Sequence, residues 1–295
     1  MRILSSSRLS PPEFVQPKKV SALHHVRRMR GSSQSHLMLC SDGNMYVVKF
    51  RNNPQHGRVL CNEMLGTCLA RCVGLPVPAF AIVDVKESLI RNNPALSVGL
   101  PGNAISAEPG LQFGSRHVLA NLHGEAFDLF PSKALHRVRN LRAFAGAWLF
   151  DRWVCNGDAR QAVFWKHNWS QQYTVVFIDQ GNCFGADNWG MPEHLLRGVY
   201  SNLEVYRNIK HGQQFSPWLA RILEFAPAAI REICNAIPPQ WYDGEKRELQ
   251  ELVERLAERR TRVSRDLQAC GEFPLSLFQR WCGNLDHPLE SVHAK

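Results

Sequence analysis

Apolar and polar positions first alternate and later recur at helical spacing. From Val20 the pattern is β-like. His36-Leu37-Met38-Leu39-Cys40 reads as a strand and Ser41-Asp42-Gly43-Asn44 as a hairpin turn, because Asp-Gly and Gly-Asn adopt positive φ at little cost. Met45–Phe50 is the returning strand. Strand side chains alternate faces, so Lys49 points with Val47 and away from Val48 and Phe50. After a polar loop, Arg51–Arg58, a helix is predicted over Val59–Val73. Its stripe of Leu65, Cys68, Leu69 and Cys72 has the i, i+3, i+4, i+7 spacing. Gly74 ends it, and Pro76 and Pro78 prevent its continuation. Ala79–Val85 and Ser88–Arg91 are expected as strands, 92–110 as a loop and Leu111–Leu119 as a weaker strand.

Past that point the period is mostly helical. Arg137–Val154 carries Leu141, Phe144, Ala145 and Trp148 on one face. Two strands, Ala162–Lys166 and Tyr173–Ile178, follow around the hairpin Lys166–Gln172. From Pro192 onward helices are expected, broken at Pro238-Pro239 and ending in a long charged helix, Glu245–Leu267. Strands before about residue 119 and helices after it predict an α+β, two-lobed chain: a tail at 1–19, a β-rich lobe at 20–119 and a mainly helical lobe at 120–295. Small ligands favour clefts at such junctions.

Composition changes this picture in three ways. The hydrophobic fraction of 44% can fill a core. No apolar run reaches the ~20 residues a membrane span needs, and the N-terminus has no long apolar centre, so a cytoplasmic protein with no membrane partner is expected. The nine cysteines contain no CxxC pair, which argues for reduced thiols rather than a zinc site or a disulfide scaffold. The net charge is +9, and through Leu60 the only acids are Glu13 and Asp42. That asymmetry suits anionic partners. Nucleic acid is possible but not favoured, because no basic run is interleaved with stacking aromatics. Trp189, Trp218, Trp241 and Trp281 are read as core residues.

Four polar features bear on chemistry. Lys49, on an inward-looking strand, is either an edge-strand lysine in solvent or a buried ammonium that needs a partner, since burial is costly alone. Glu63, in the first turn of the next helix, is that partner or else a carboxylate placed by the helix dipole. Gly31-Ser32-Ser33-Gln34-Ser35 is a small-residue loop whose backbone N–H groups and hydroxyls suit phosphate oxygens. Asp158 precedes a hairpin and Asp179 follows it, so both carboxylates emerge at one end. They are either two turn aspartates capping backbone N–H groups or a pair that would repel without a cation, for which Mg²⁺ with phosphate oxygens fits. Strand Lys, helix Glu, loop Asp and Asp-x-Gly stand in the order kinase-type phosphoryl transfer uses.

On the stretches RGSSQSHLM, DGNMYVVKF, VLCNEMLGTCLARCVGLPVP, FGSRHV, DRWVCNGDARQAVF and VVFIDQGNCF, and more loosely IPPQWYDGE, the chain resembles the single-domain branch of the HipA-like kinases. The resemblance implies a protein-kinase-like fold, ATP and Mg²⁺, and transfer of a phosphoryl group to a protein or other hydroxyl. It implies that Lys49 is the nucleotide lysine, Glu63 its partner, Asp158 the catalytic acid and Asp179 the metal-binding carboxylate. One position departs: Val163 stands where such kinases carry a metal-ligating Asn. Gln161 and Asn156 are the candidate substitutes, and Arg160 is a candidate to offset charge on the phosphate. The alternative expectation is a pseudokinase-type module that binds nucleotide or a partner without turnover.

Overall fold

The computed structural model describes residues 14–31, 33–99, 102–119, 123–192, 198–209 and 212–269. Ser32, Trp281 and the first thirteen residues of the expected tail lie outside them. The first strands are β1 (Lys18–Arg28), β2 (His36–Cys40) and β3 (Met45–Lys49), and helix α1 (Val59–Cys72) follows. Next come β4 (Phe80–Val85), a short helix α2 (Glu87–Arg91), the two-residue strands β5 (Ser97–Val98) and β6 (Ile105–Ser106), and β7 (Gly110–Arg116). Strands β1, β2, β3, β7 and β4 close into a barrel in that order, sealed by a parallel β1–β4 pair. Val20, Met38, Val48, Phe50, Ala81 and Val83 fill it. The β2–β3 turn is the expected one: the Asn44 N–H donates to Asp42 Oδ1 at 3.2 Å.

The remaining elements are β8 (Gly124–Phe127), α3 (Ala143–Trp153), β9 (Gln161–His167), β10 (Thr174–Ile178), α4 (Ser216–Glu224), α5 (Pro227–Asn235) and α6 (Lys246–Ala269). Strands β10, β9 and β8 form an antiparallel sheet. One of its faces, with Ala162, Phe164, Val175 and Phe177, joins the core beneath α3.

Helix α1 is more than amphipathic: every residue but Arg71 is buried. Buried on all sides, it packs into the same core as α3, α5 and α6 while turning Asn62 and Glu63 to polar partners. Gly74 closes it at φ +82°, and an added Cβ there would strike Arg221 Nη1 at 1.8 Å.

Three expected boundaries are corrected. Ser88–Arg91 belongs to a helical turn, α2, rather than a strand. Helix α3 begins at Ala143, six residues after the expected start. Residues 138–140 instead extend the sheet: Val138 bridges Tyr173, and the Asn140 side chain both donates to Val175 O and accepts from Val175 N, each at 2.8 Å. Tertiary pairing outweighs helical period there. The third concerns 92–110, expected as a loop: its described part contains the antiparallel pair β5–β6 and lies against the β1–β2 turn and residues 51–52.

His36 ties that loop to the barrel. It is 0% exposed, and its Nε2 lies 3.0 Å from Ser97 O. A carbonyl only accepts, so Nε2 carries the proton and Nδ1 accepts from His25 Nε2 at 3.0 Å. Burial, aided by Arg28 and His25, pushes its pKa down to about 4. A histidine whose folded pKa is depressed contributes stability above its unfolded pKa of ~6.5 and loses it as the pH falls towards 4. Urea unfolding midpoints should therefore drop over that range by the equivalent of about 3 kcal/mol, and His36→Asn should flatten this slope relative to the parent.

Candidate active site

Lys49 ends β3 with its side chain turned into the gap between barrel and helices, where it is 7% exposed. Its Nζ donates to Glu63 Oε1 and, at 2.9 Å, to Asp179 Oδ1. Glu63 is presented by the second turn of α1, and its other oxygen accepts the Gln180 N–H at 3.0 Å. Asp179 follows β10 at φ 62°, a left-handed conformation that Asp tolerates better than most residues. Gly181 completes the turn. A Cβ there would meet Val59 Cγ2 at 2.8 Å and lie 3.5 Å from both Asp179 Oδ1 and Glu63 Oε1. The Val59 methyl is what crowds a Cβ at this position, whereas the carboxylate oxygens lie at ordinary contact distance. Burial alone would raise the Asp179 carboxyl, but the Lys49 ammonium outweighs it and holds the group below the usual carboxylate range. The same two carboxylates push the Lys49 pKa up, despite its burial.

Asp158 lies in the loop between α3 and β9. Its Oδ2 accepts from the Asn182 side chain, and the Gly157 N–H donates to Asn182 O at 2.8 Å. The loop bearing Asp158 and the turn bearing Asp179 are thereby fastened together. Gln161, the first residue of β9, donates through Nε2 to Asp179 Oδ2 at 3.0 Å. Val163 shares its face two residues on, in mid-strand opposite Val176.

Two expected site residues are placed elsewhere. Arg160 is buried and bidentate to Asp151, at 2.9 and 2.7 Å, with Nη1 on Ile178 O. A guanidinium committed in this way is not presented to a phosphate. Asn156 is also buried, its Nδ2 on Asp151 and its Oδ1 on the Asp158 N–H. It shapes the loop rather than facing the Asp179 oxygens. The Gly31–Ser35 stretch is the β1–β2 turn. Gly31 is exposed at φ 119°, and Ser33 O accepts from Asn53 Nδ2 at 2.7 Å. Ser35 is buried, and the Gln34 side chain turns away to accept from the Gly99 N–H. Sequence reasoning missed Asn182 and Asp151. The run Asp179-Gln180-Gly181-Asn182 was the available signal for the first.

The cleft holds one ammonium against the carboxylates of Glu63, Asp179 and Asp158, an excess of two negative charges. Among the described residues no cluster of three or more His, Cys, Asp or Glu side chains is set to hold a metal ion. Asp179 and Asp158 suit instead an ion held by one or two carboxylates together with phosphate oxygens. The seven cysteines among the described residues are buried thiols rather than disulfides, and burial pushes the Cys72 thiol up to about 11. No helix among these residues is long and apolar enough to cross a membrane.

The family model described as HipA-like kinase matches residues 24–271. Among solved structures, the Helicobacter pylori proinflammatory kinase CtkA is similar at a TM-score of 0.52 and 14% identity, over 84% of this chain and 99% of that one. This likeness gives the kinase-like fold. The Golgi casein kinase aligns at a TM-score of 0.42 and 11% identity, over 83% and 74% of the two chains. Its form with Mn and ADP bound aligns at 0.41 and 11%, over 83% and 73%. No curated protein matches the chain.

Proposed function

The chain belongs to the HipA-like kinase family, and from that premise we propose that it is an ATP- and Mg²⁺-dependent phosphotransferase acting on a protein hydroxyl, its own included, or on another hydroxyl substrate. The observation that carries this reading is the Lys49 ammonium held between Glu63 and Asp179, with Asp158 fastened to the same turn. In this reading the barrel is the nucleotide-binding lobe and the helical part carries the catalytic loop and the metal-binding hairpin. Lys49 clamps the α- and β-phosphates, and Glu63 fixes its direction. Asp179 holds the ion, with the Gln161 carbonyl oxygen taking the place of the absent Asn. The metal neutralises charge on the phosphates. Backbone N–H groups of the β1–β2 turn cover them. Asp158 orients the acceptor hydroxyl and takes its proton as the oxygen bonds to the γ-phosphorus and the bond to ADP breaks. Buried, reduced thiols support a cytoplasmic setting.

The test is ADP release and phosphate incorporation, followed by intact-protein mass spectrometry after incubation with ATP. Magnesium-dependent ADP formation is expected. Val163 in the position of the second metal ligand favours a pseudokinase as the other reading, and nucleotide binding without any ADP formation would select it.

A further inference from the structure

Four non-glycine residues in the segment after Asp179 adopt left-handed backbone: Phe184, Ala186, Trp189 and Met191, with φ of 65°, 64°, 51° and 49°. Each such residue is strained by roughly 1–3 kcal/mol and persists only where its surroundings over-determine it. Here two side chains do so. Asn62, next to Glu63 on α1 and 0% exposed, directs Nδ2 at three carbonyls: Gly181 at 2.9 Å, Cys183 at 3.1 Å and Ala186 at 2.8 Å. Its Oδ1 accepts from Trp189 Nε1 at 2.7 Å. With three acceptors on one side and an indole donor on the other, only one amide orientation is possible. Trp189 is likewise 0% exposed. The Arg58 guanidinium stacks 4.2 Å from its ring centre and pairs with Glu248 of α6. Arg255 donates to its carbonyl at 2.8 Å. The segment is thus pinned to α1 at Asn62 and to α6 at Trp189.

Kinase segments in this position are often ordered by a phosphate on a Ser, Thr or Tyr that recruits an arginine. Between Asp179 and Val199 this sequence has none of the three. Arg58 instead meets the Trp189 indole, and Arg255 the carbonyl of the same residue. We propose that Asn62 and Trp189 are positioning residues that keep the metal-binding turn permanently assembled, so that the site needs no phosphorylation to bind metal and nucleotide. The proposal rests on the phosphotransferase reading for its consequence, and on the contacts above for its geometry.

Two variants test it, Asn62→Leu and the milder Trp189→Phe, which removes the indole N–H donor while keeping an aromatic ring at that position. Amide hydrogen exchange of the whole protein, without nucleotide, should quicken by about tenfold or more at Phe184 and Ala186, the scale of one buried hydrogen bond lost, while the β9–β10 hairpin stays protected. The gain in ATP affinity on adding Mg²⁺ should fall by a similar factor in both variants, with affinity in EDTA unchanged. Phosphatase treatment of the parent protein should leave that gain as it was. Unchanged exchange in a folded variant, or a gain abolished by phosphatase, overturns the proposal. Should Asn62→Leu fail to fold, the exchange rates of Trp189→Phe decide alone. If the parent shows no magnesium-dependent affinity, the phosphotransferase reading falls, and the exchange data still judge the clamp.

Discussion

Asp158→Asn is expected to bind Mg²⁺-ATP within about twofold of the parent and to lose roughly a thousandfold in turnover, the scale of a general base. The substitution is nearly isosteric. The Asn182 amide can still donate to the remaining side-chain oxygen, and the backbone of 158 keeps its N–H on Asn156 Oδ1. The fold of the loop is therefore preserved, and what disappears is a basic oxygen beside the acceptor hydroxyl. Kd from calorimetry and turnover from ADP release separate the two effects. Equal losses in both would mean that Asp158 shapes the nucleotide site instead of serving the transfer.

Asp179→Asn is expected to act on the other side of the same division. It removes the carboxylate that Gln161 and Lys49 share, so the magnesium-dependent part of ATP affinity should fall by two orders of magnitude or more, ~3 kcal/mol at 1.4 per decade. The protein should stay folded, because Lys49 retains Glu63. Lys49→Met is the contrasting case: it leaves Glu63 and Asp179 facing each other with no cation, and breaking a buried pair in this way costs about 3–5 kcal/mol of stability. The sign with pH follows from Asp179. Its folded pKa lies below its unfolded value because Lys49 outweighs burial, so its contribution is complete above ~3.9 and disappears only as the pH falls through the lower folded value. Metal affinity should accordingly be insensitive to Asp179 protonation at any pH above ~5. Urea unfolding of both variants, beside metal-dependent ATP titration, separates binding from stability.

Which parts of this were legible in the sequence depends on how local the cause was. The Asp42-Gly43 hairpin, the α1 span with its Gly74 stop and the β9–β10 hairpin follow from turn chemistry and periodicity within a few residues. The Lys49–Glu63 contact could be read from a strand followed by a helix, and the meeting of Asp158 with the Asp179 turn from the hairpin between them. The late start of α3 could not be, because residues 138–140 are held by Tyr173 and Val175, more than thirty positions along. Strand β8 escaped for the same reason: Gly124–Phe127 is short and acquires its partner only across the sheet. Arg160 shows the opposite hazard. Close to Asp158 in sequence, it resembles a phosphate ligand, yet Asp151 near the end of α3 captures it in the interior. Asn62 carries no signal in the sequence beyond its place beside Glu63. Its grip on three distant carbonyls exists only once α1 is packed against the Asp179 turn.

The central claim is that the crevice bounded by Lys49, Asp179 and Asp158 takes a nucleotide together with a divalent ion. Calorimetric titration of the parent protein and Asp179→Asn with ATP, each in Mg²⁺ and in EDTA, tests it most directly. The predicted result is saturable one-site binding by the parent that tightens strongly with Mg²⁺, and a variant whose affinity is the same in both buffers. Parent binding indifferent to Mg²⁺, or a variant that keeps the full magnesium enhancement, would contradict it.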